Sequence, residues 1–326
     1  MVFTTLPNSA LQAGLPGLET AMLILSLMGG SIFYLTVIPL ILWCYDSRLG
    51  SRLLILCSIS TAVNASLKLL FHAPRPYWID PGIRAFSSEP TFGMPSGAAQ
   101  ITLTFFGYIG AWFRKTPVWI ICGILVVLTG ISRMYLGVHF LIDVLTGWVF
   151  GLCILLVFLR YEDSAAEWLM HMPLSRRVLI LFCISAGFIL FSVAAVSLYG
   201  SWSVPPGWEM QAFAQTHASI NPISMGDTLM AAGLVFGAAA GAVARAEFLP
   251  LSAGGTLSRK AIRYCLGIVI LMILWLVLAY TTTLPGIAGS AMIYSRAACA
   301  GAWITAGAPY LFFRLGLSDT TELRLP

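Results

Sequence analysis

Three cations, one turn and one imidazole carry the chemistry legible in this chain. Lys68, Arg75 and Arg133 stand at or just beyond the ends of apolar runs; Pro95-Ser96-Gly97 opens another run, and Asp143 follows His139 by four residues. Two guanidinium groups and an ammonium can clamp the oxygens of one phosphate. A Pro-Ser-Gly turn at a helix N-terminus offers backbone N–H groups where the helix dipole favours an anion, and Gly97 lets the backbone come close. The i, i+4 spacing puts His139 and Asp143 on one helix face. There a carboxylate can accept the imidazole N–H, fix the tautomer and leave the other nitrogen to attack. Each feature alone has a plainer reading. A basic residue at a helix end can snorkel to the membrane interface. A His–Asp pair can simply satisfy two polar groups inside a membrane helix. Their concurrence on one side of the chain's topology favours a phosphate site with a nucleophile.

The elements that must hold these residues are membrane helices. Of 326 residues, 59% are hydrophobic and 10% charged, against roughly 25% charged in a soluble domain. Such a chain needs lipid as its solvent. Nine apolar runs lie near 21–44, 53–71, 97–113, 116–133, 138–159, 178–199, 228–246, 264–283 and 291–313, and predict an all-α polytopic bundle of about nine spans. Residues 8–20 suit a short interfacial helix ahead of them.

Charge orients the set. One group of connections holds Arg48, Arg52, Arg114, Lys115, Arg160, Arg176, Arg177, Arg245, Arg259, Lys260, Arg263, Arg314 and Arg324, and only Lys68, Arg75, Arg84, Arg133 and Arg296 lie on the other side. The first side is therefore expected to be cytoplasmic, with the N-terminus outside and the phosphate site facing outward. The net charge of +5 fits loops near anionic head groups and gives no nucleic-acid surface. All seven cysteines fall in apolar runs without C-x-x-C spacing and read as small buried residues. The first twenty residues lack the basic n-region of a cleaved signal peptide.

Taken in order, K-x6-R-P (Lys68, Arg75, Pro76), P-S-G (Pro95, Ser96, Gly97) and S-R-x5-H-x3-D (Ser132, Arg133, His139, Asp143) resemble the type 2 phosphatidic acid phosphatase family of membrane lipid phosphatases. Soluble vanadium haloperoxidases and bacterial acid phosphatases share this signature. The resemblance covers the spans from 21 to 159. It implies a helical bundle with its site at the outer face, a phosphohistidine intermediate and no metal or other cofactor. It assigns Lys68, Arg75, Arg133, Ser96 and the Gly97 backbone to the phosphate oxygens, His139 to nucleophilic attack and Asp143 to orienting it.

One position departs from the pattern. The family's second motif reads P-S-G-H, and here the fourth residue is Ala98. In the family that histidine protonates the leaving alkoxide and then activates water. Losing a positioned acid–base group costs about 10²–10⁴-fold in rate, so this chain is expected to bind phosphate while turning it over slowly. An introduced alanine, a natural non-catalytic binder, or another proton donor could explain the change. The otherwise undamaged motifs favour an introduced alanine, and His72, between Lys68 and Arg75, is the nearest other donor.

The reading divides the chain into a catalytic bundle over 1–160, a cytoplasmic connection over 161–177 and additional transmembrane helices over 178–326 without a legible motif. Small-residue runs such as GAAAGAVA suit close helix packing there. Tyr77 and Trp78 are possible head-group contacts, with interfacial anchoring the stronger alternative. Asp80, Arg84 and Glu89 can recognise a head group or only pair with one another in water, the latter being the stronger reading. Gln100 can hydrogen-bond within the bundle, while His217 and Glu209 read as loop residues.

The expected function is hydrolysis of a lipid phosphomonoester or diphosphate at the outer face of a bacterial inner membrane, with the lipid and phosphate as partners. A lipid phosphotransferase and a non-catalytic lipid-phosphate binder are the alternatives. A transporter is disfavoured, because the cations gather at one face and not at mid-membrane.

Overall fold

The computed structural model describes residues 4–248, 253–280 and 286–318, and every described regular element is helical. The helices are α1 (Leu6–Gly14), α2 (Glu19–Leu27), α3 (Ser31–Cys44), α4 (Ser47–Phe71), α5 (Pro76–Ile79), α6 (Gly97–Phe113), α7 (Thr116–Tyr135), α8 (Leu141–Met170), α9 (Leu174–Ser197), α10 (Pro206–Thr216), α11 (Gly226–Phe248), α12 (Leu257–Tyr280), α13 (Gly286–Ala302) and α14 (Ala308–Arg314). The all-α polytopic fold is therefore as expected.

Each of the nine apolar runs is helical, but the spans are less uniform than composition implies. Six helices among the described residues are long and apolar enough to cross a membrane, and a seventh span results if α2 and α3, bent by 47° across Met28–Gly30, count as one. Helix α6 has 17 residues, only about 26 Å of rise. The last run is interrupted, because a π-helical turn at Trp303–Gly307 separates α13 from α14. The final residues of the 264–283 run, and Arg324, lie outside the described residues.

Two boundaries shift for local reasons. The polar stretch 161–177 is not a loop, since α8 continues to Met170 and α9 begins at Leu174. The run from Tyr161 to Met170 contains good helix formers (Ala, Glu, Leu, Met) and no Gly or Pro. The stretch 8–20 splits into α1 and the start of α2, because Gly14 and Pro16-Gly17 break the helix.

The chain divides into two compact units: residues 1–33, 63–159 and 190–225, and residues 34–62, 160–189 and 226–326. The first unit contains every motif residue. Its core packs Leu69, Tyr77, Trp78, Phe92, Tyr135, Leu136 and Val138 with Ala195, Ala212 and Ile220. The 200–225 segment therefore covers the site loop. Trp208 of α10 lies 6.0 Å from the Trp78 ring, the Asn221 N–H donates to the Pro90 carbonyl at 3.0 Å, and Gln215 brackets Ile83 and Ala85.

In the second unit, small residues let α11 lie backbone to backbone against α13, with Gly233 at Tyr294 and Gly237 at Ala298. Basic residues of the opposite end of α4 are paired there: Arg48 with Asp163 at 2.9 Å, and Arg52 with Glu162 at 3.1 Å and with Asp163.

Candidate active site

Helix ends bring the motif residues together. Lys68 sits in the last turn of α4 and Arg133 in the last turn of α7, while Asp143 lies in the first turn of α8. Arg75 is 0% exposed and organises the site. Its Nε donates to the Thr91 carbonyl at 2.6 Å, Nη1 to the Val138 carbonyl at 2.9 Å, and Nη2 to the Phe92 carbonyl at 3.0 Å. One rigid guanidinium fork thus ties the loop carrying Glu89–Phe92 to the loop carrying His139. The Thr91 hydroxyl gathers two cations, accepting from Lys68 Nζ at 3.0 Å and Arg75 Nη2 at 3.3 Å.

The tautomer of His139 follows from its neighbours. His139 is 2% exposed. Its Nε2 lies 3.3 Å from Arg75 Nη1, and its Nδ1 lies 3.4 Å from Asp143 Oδ2. A guanidinium has no acceptor, so Nε2 presents a lone pair to it and the ring proton resides on Nδ1, toward the carboxylate. Asp143 Oδ2 also accepts the Phe140 N–H at 2.9 Å, which fixes the carboxylate. Its Oδ1 has no partner among the described residues.

The Pro-Ser-Gly turn joins the same constellation. The Ser96 N–H donates to the Asp143 carbonyl at 2.8 Å, and Ser96 Oγ caps α6 through the Ala99 N–H at 3.5 Å. Gly97 sits close against α4, where a Cβ would lie 2.9 Å from Asn64 Oδ1. Asn64 donates in turn to the Pro95 carbonyl at 3.2 Å and to Gln100 Oε1 at 3.0 Å, so Gln100 does bond within the bundle.

Ala98 is 8% exposed and faces the bend between α2 and α3. A Cβ built on Gly29 would lie only 2.3 Å from the Ala98 Cβ. The backbone at Gly29 thus fills space beside position 98. The same bend delivers Ser26, whose hydroxyl accepts from Arg133 Nη1 at 2.5 Å.

Several side chains differ from their sequence-based roles. Glu89 does not pair with Asp80 or Arg84 in water; it pairs with Arg133 and lies 3.9 Å from Arg75 Nη2. Burial pushes the Glu89 carboxyl up, but Arg133, Arg75 and Lys68, with the Arg133 hydrogen bond, outweigh it and hold the group at about 2. Tyr77 and Trp78 are 0% and 1% exposed, so neither is a head-group contact or an interface anchor. The Tyr77 hydroxyl instead holds the Glu89 backbone, donating to its carbonyl and accepting its N–H, both at 3.1 Å. Trp78 lies beneath Arg75, its ring centroid 5.9 Å from the guanidinium carbon. The His72 ring packs on Tyr199 and Trp202 at 4.8 and 5.0 Å, and its Nδ1 faces the Leu70 carbonyl, so its contacts lie with the aromatic core and not with the cations. Asp80 accepts from Thr5 Oγ1 at 2.6 Å, and Arg84 stacks on Phe86.

Helix α1 is the part of the site that sequence reasoning missed. Asn8 is 0% exposed, and its Nδ2 donates to the Met134 carbonyl at 2.8 Å and to the His139 carbonyl at 2.9 Å. Gln12, one turn on, donates to the Arg84 and Tyr135 carbonyls. The available signal was a polar stripe, Asn8 and Gln12, at i, i+4 spacing.

Comparison with known proteins matches this sequence to a family. Residues 49–167, which include every motif residue, match the PAP2 superfamily, and residues 229–320 match the PAP2 superfamily phosphatase transmembrane extension. Phosphatidylglycerophosphatase B of Bacillus subtilis (strain 168) is 32% identical over 162 residues, covering 46% of this chain and 77% of that protein. Sphingosine-1-phosphate phosphatase 1 of Rattus norvegicus is 27% identical over 148 residues, covering 42% of this chain and 33% of that protein. Among solved structures, the first transmembrane PAP2 type phosphatidylglycerolphosphate phosphatase from Bacillus subtilis aligns with a TM-score of 0.41 and 26% identity, over 48% of this chain and 85% of that one. The chain belongs to the PAP2 superfamily.

Proposed function

We propose that the protein is a lipid phosphate phosphatase that transfers the phosphoryl group to His139 and then to water. The observation that carries this reading is the approach of His139 Nε2 to Arg75 Nη1 at 3.3 Å, with Lys68 joined to Arg75 through Thr91 and Arg133 joined to it through Glu89. A phosphate seated on these cations presents its phosphorus to the imidazole lone pair. Lys68, Arg75 and Arg133 then stabilise the charge that develops on the transferring group. Asp143 holds the Nδ1 proton and favours the imidazolium form as the nitrogen–phosphorus bond is made. Ser96 and the amide groups that open α6 add donors at a helix N-terminus.

The basic belt on the other connections supports an outward-facing site in a bacterial inner membrane. There a lipid tail enters laterally between spans while its phosphate reaches the pocket. Phosphatidic acid, phosphatidylglycerol phosphate, polyprenyl mono- or diphosphates and lipid A phosphates are the candidate substrates.

With Ala98 in place of a histidine, turnover is slow relative to a chain with the full motif, by a factor on the order of 10²–10⁴. The backbone at Gly29 packs against Ala98 where the family motif has its histidine. The same observation favours a second reading, a lipid-phosphate binder without turnover. Rapid acid-free quenching of the full chain with ³²P-labelled lipid phosphate separates the two. Alkali-stable, acid-labile label on His139 supports the phosphatase; saturable binding without label or phosphate release supports the binder.

A further inference from the structure

We propose that Glu89 supplies the proton to the leaving group and later removes one from water, in place of the histidine absent at position 98. The inference rests on the phosphatase reading above and adds the acid–base residue that it lacks.

Glu89 and the phosphate share partners. Glu89 is held by Arg133 and lies 3.9 Å from Arg75, the same two guanidinium groups that the phosphate must use. Its side chain is 31% exposed, so the carboxylate lies at the accessible side of the pocket while His139 is buried. The backbone around it is fixed by the two Tyr77 hydroxyl bonds and by Asn221 on Pro90, so the carboxylate is held beside the pocket by its own framework. The charged groups facing it are Arg133 on α7, Arg75 before α5 and Lys68 on α4; His139 and Asp143 lie beyond Arg75.

A phosphate that takes these arginines removes the counter-ions of Glu89 and places a second anion against it. An ester that binds as its monoanion brings a proton with it, and the carboxylate and a phosphate oxygen in hydrogen-bond contact share that proton. Glu89 and the imidazole both flank Arg75, so that proton is available to the ester oxygen as it departs. The His139 Nε2 lone pair attacks phosphorus, and the phosphorus–oxygen bond breaks. Its electron pair stays on the alkoxide, which takes the Glu89 proton and leaves as an alcohol. The Glu89 carboxylate then takes a proton from water as its oxygen attacks the phosphohistidine. The phosphorus–nitrogen bond breaks with its pair returning to Nε2.

Leaving groups distinguish this role from packing or binding. An alkoxide needs a proton to depart, whereas nitrophenolate does not. In detergent-solubilised full chain, Glu89→Gln should lower kcat/KM for a long-chain alkyl phosphate by about 10²-fold, and for p-nitrophenyl phosphate by less than about tenfold. Glu89→Asp, which keeps a carboxylate, should recover part of the alkyl ester rate. Orthovanadate binding, retained in both variants, reports that the pocket is folded. An equal loss with both esters, no loss with either, or a parent chain that cleaves only the nitrophenyl ester would overturn the role of Glu89 and leave the phosphate cradle intact. Failure of the parent to bind orthovanadate or cleave either ester would overturn the phosphatase reading itself.

Discussion

Gly29 lies directly against Ala98: a Cβ added to the glycine would fall 2.3 Å from the alanine's own. The position at which this superfamily's signature calls for a histidine is here a packing contact between the α2–α3 bend and the first turn of α6. A larger residue at 98 must move that bend, and with it Ser26 and its bond to Arg133. Ala98→His is therefore expected to lower stability by about 1–3 kcal/mol, as overpacking does. It is also expected to fall short of the ~10²-fold gain that a positioned acid–base group gives. Thermal unfolding in detergent and phosphate release from phosphatidic acid, run side by side, check both parts.

Asn8 bonds the Met134 carbonyl at the end of α7 and the His139 carbonyl. In Asn8→Ala the Met134 carbonyl keeps the Gly137 N–H, while the His139 carbonyl loses this donor. Stranding a buried carbonyl costs about 1–3 kcal/mol. Asn8→Asp is expected to be worse than the alanine, although it is the closer isostere, because a carboxylate cannot donate and would face two carbonyl oxygens. Unfolding temperature and the orthovanadate dissociation constant should worsen in the order Asn, Ala, Asp.

Arg75 spends its donors on three backbone carbonyls as well as on His139. In Arg75→Lys a single ammonium cannot reach Thr91, Phe92 and Val138 together. The expected result is loss of orthovanadate binding together with a fall of several degrees in unfolding temperature, whereas Lys68→Ala should weaken the anion site with a smaller structural effect. Paired binding and unfolding measurements on the two variants test this difference.

The Glu89 carboxyl sits at about 2 in the folded protein, below the ~4.3 of an unfolded glutamate. A depressed carboxyl contributes stability that is present above the unfolded value and is lost as pH falls toward the folded one. Between pH 4.3 and 2 the parent should therefore lose stability more steeply than Glu89→Gln. Above pH 5 the carboxylate is ionised in the free protein and must give up Arg133 or gain a proton before phosphate binds, so Glu89→Gln should bind inorganic phosphate more tightly there. Acid unfolding followed by tryptophan fluorescence, and phosphate titration at pH 6, read the two effects.

The sequence was most informative where chemistry is rare in a membrane. Lys68, Arg75, Arg133, His139 and Asp143 stand out because charge is costly there, and the structure brings them to one cluster. Residues whose roles depend on distant backbone were not legible. Asn8 reaches a carbonyl 131 positions away, and no local periodicity encodes that bond. Tyr77 and Trp78 read as interface aromatics because nothing nearby in sequence shows that 200–225 folds over them. Glu89 read as a solvated loop acid because its partner, Arg133, comes from the end of a different helix. Apolar runs fix where helices form, but not that α6 is short or that the final run carries a π turn.

The direct test of the shared pocket is an experimental structure of the full chain with orthovanadate. The account expects vanadium bonded to His139 Nε2, with its oxygens on Lys68, Arg75 and Arg133 and the Glu89 carboxyl displaced from Arg133 or protonated against the vanadate. Vanadate bound away from His139, or the imidazole separated from those three cations, would contradict it.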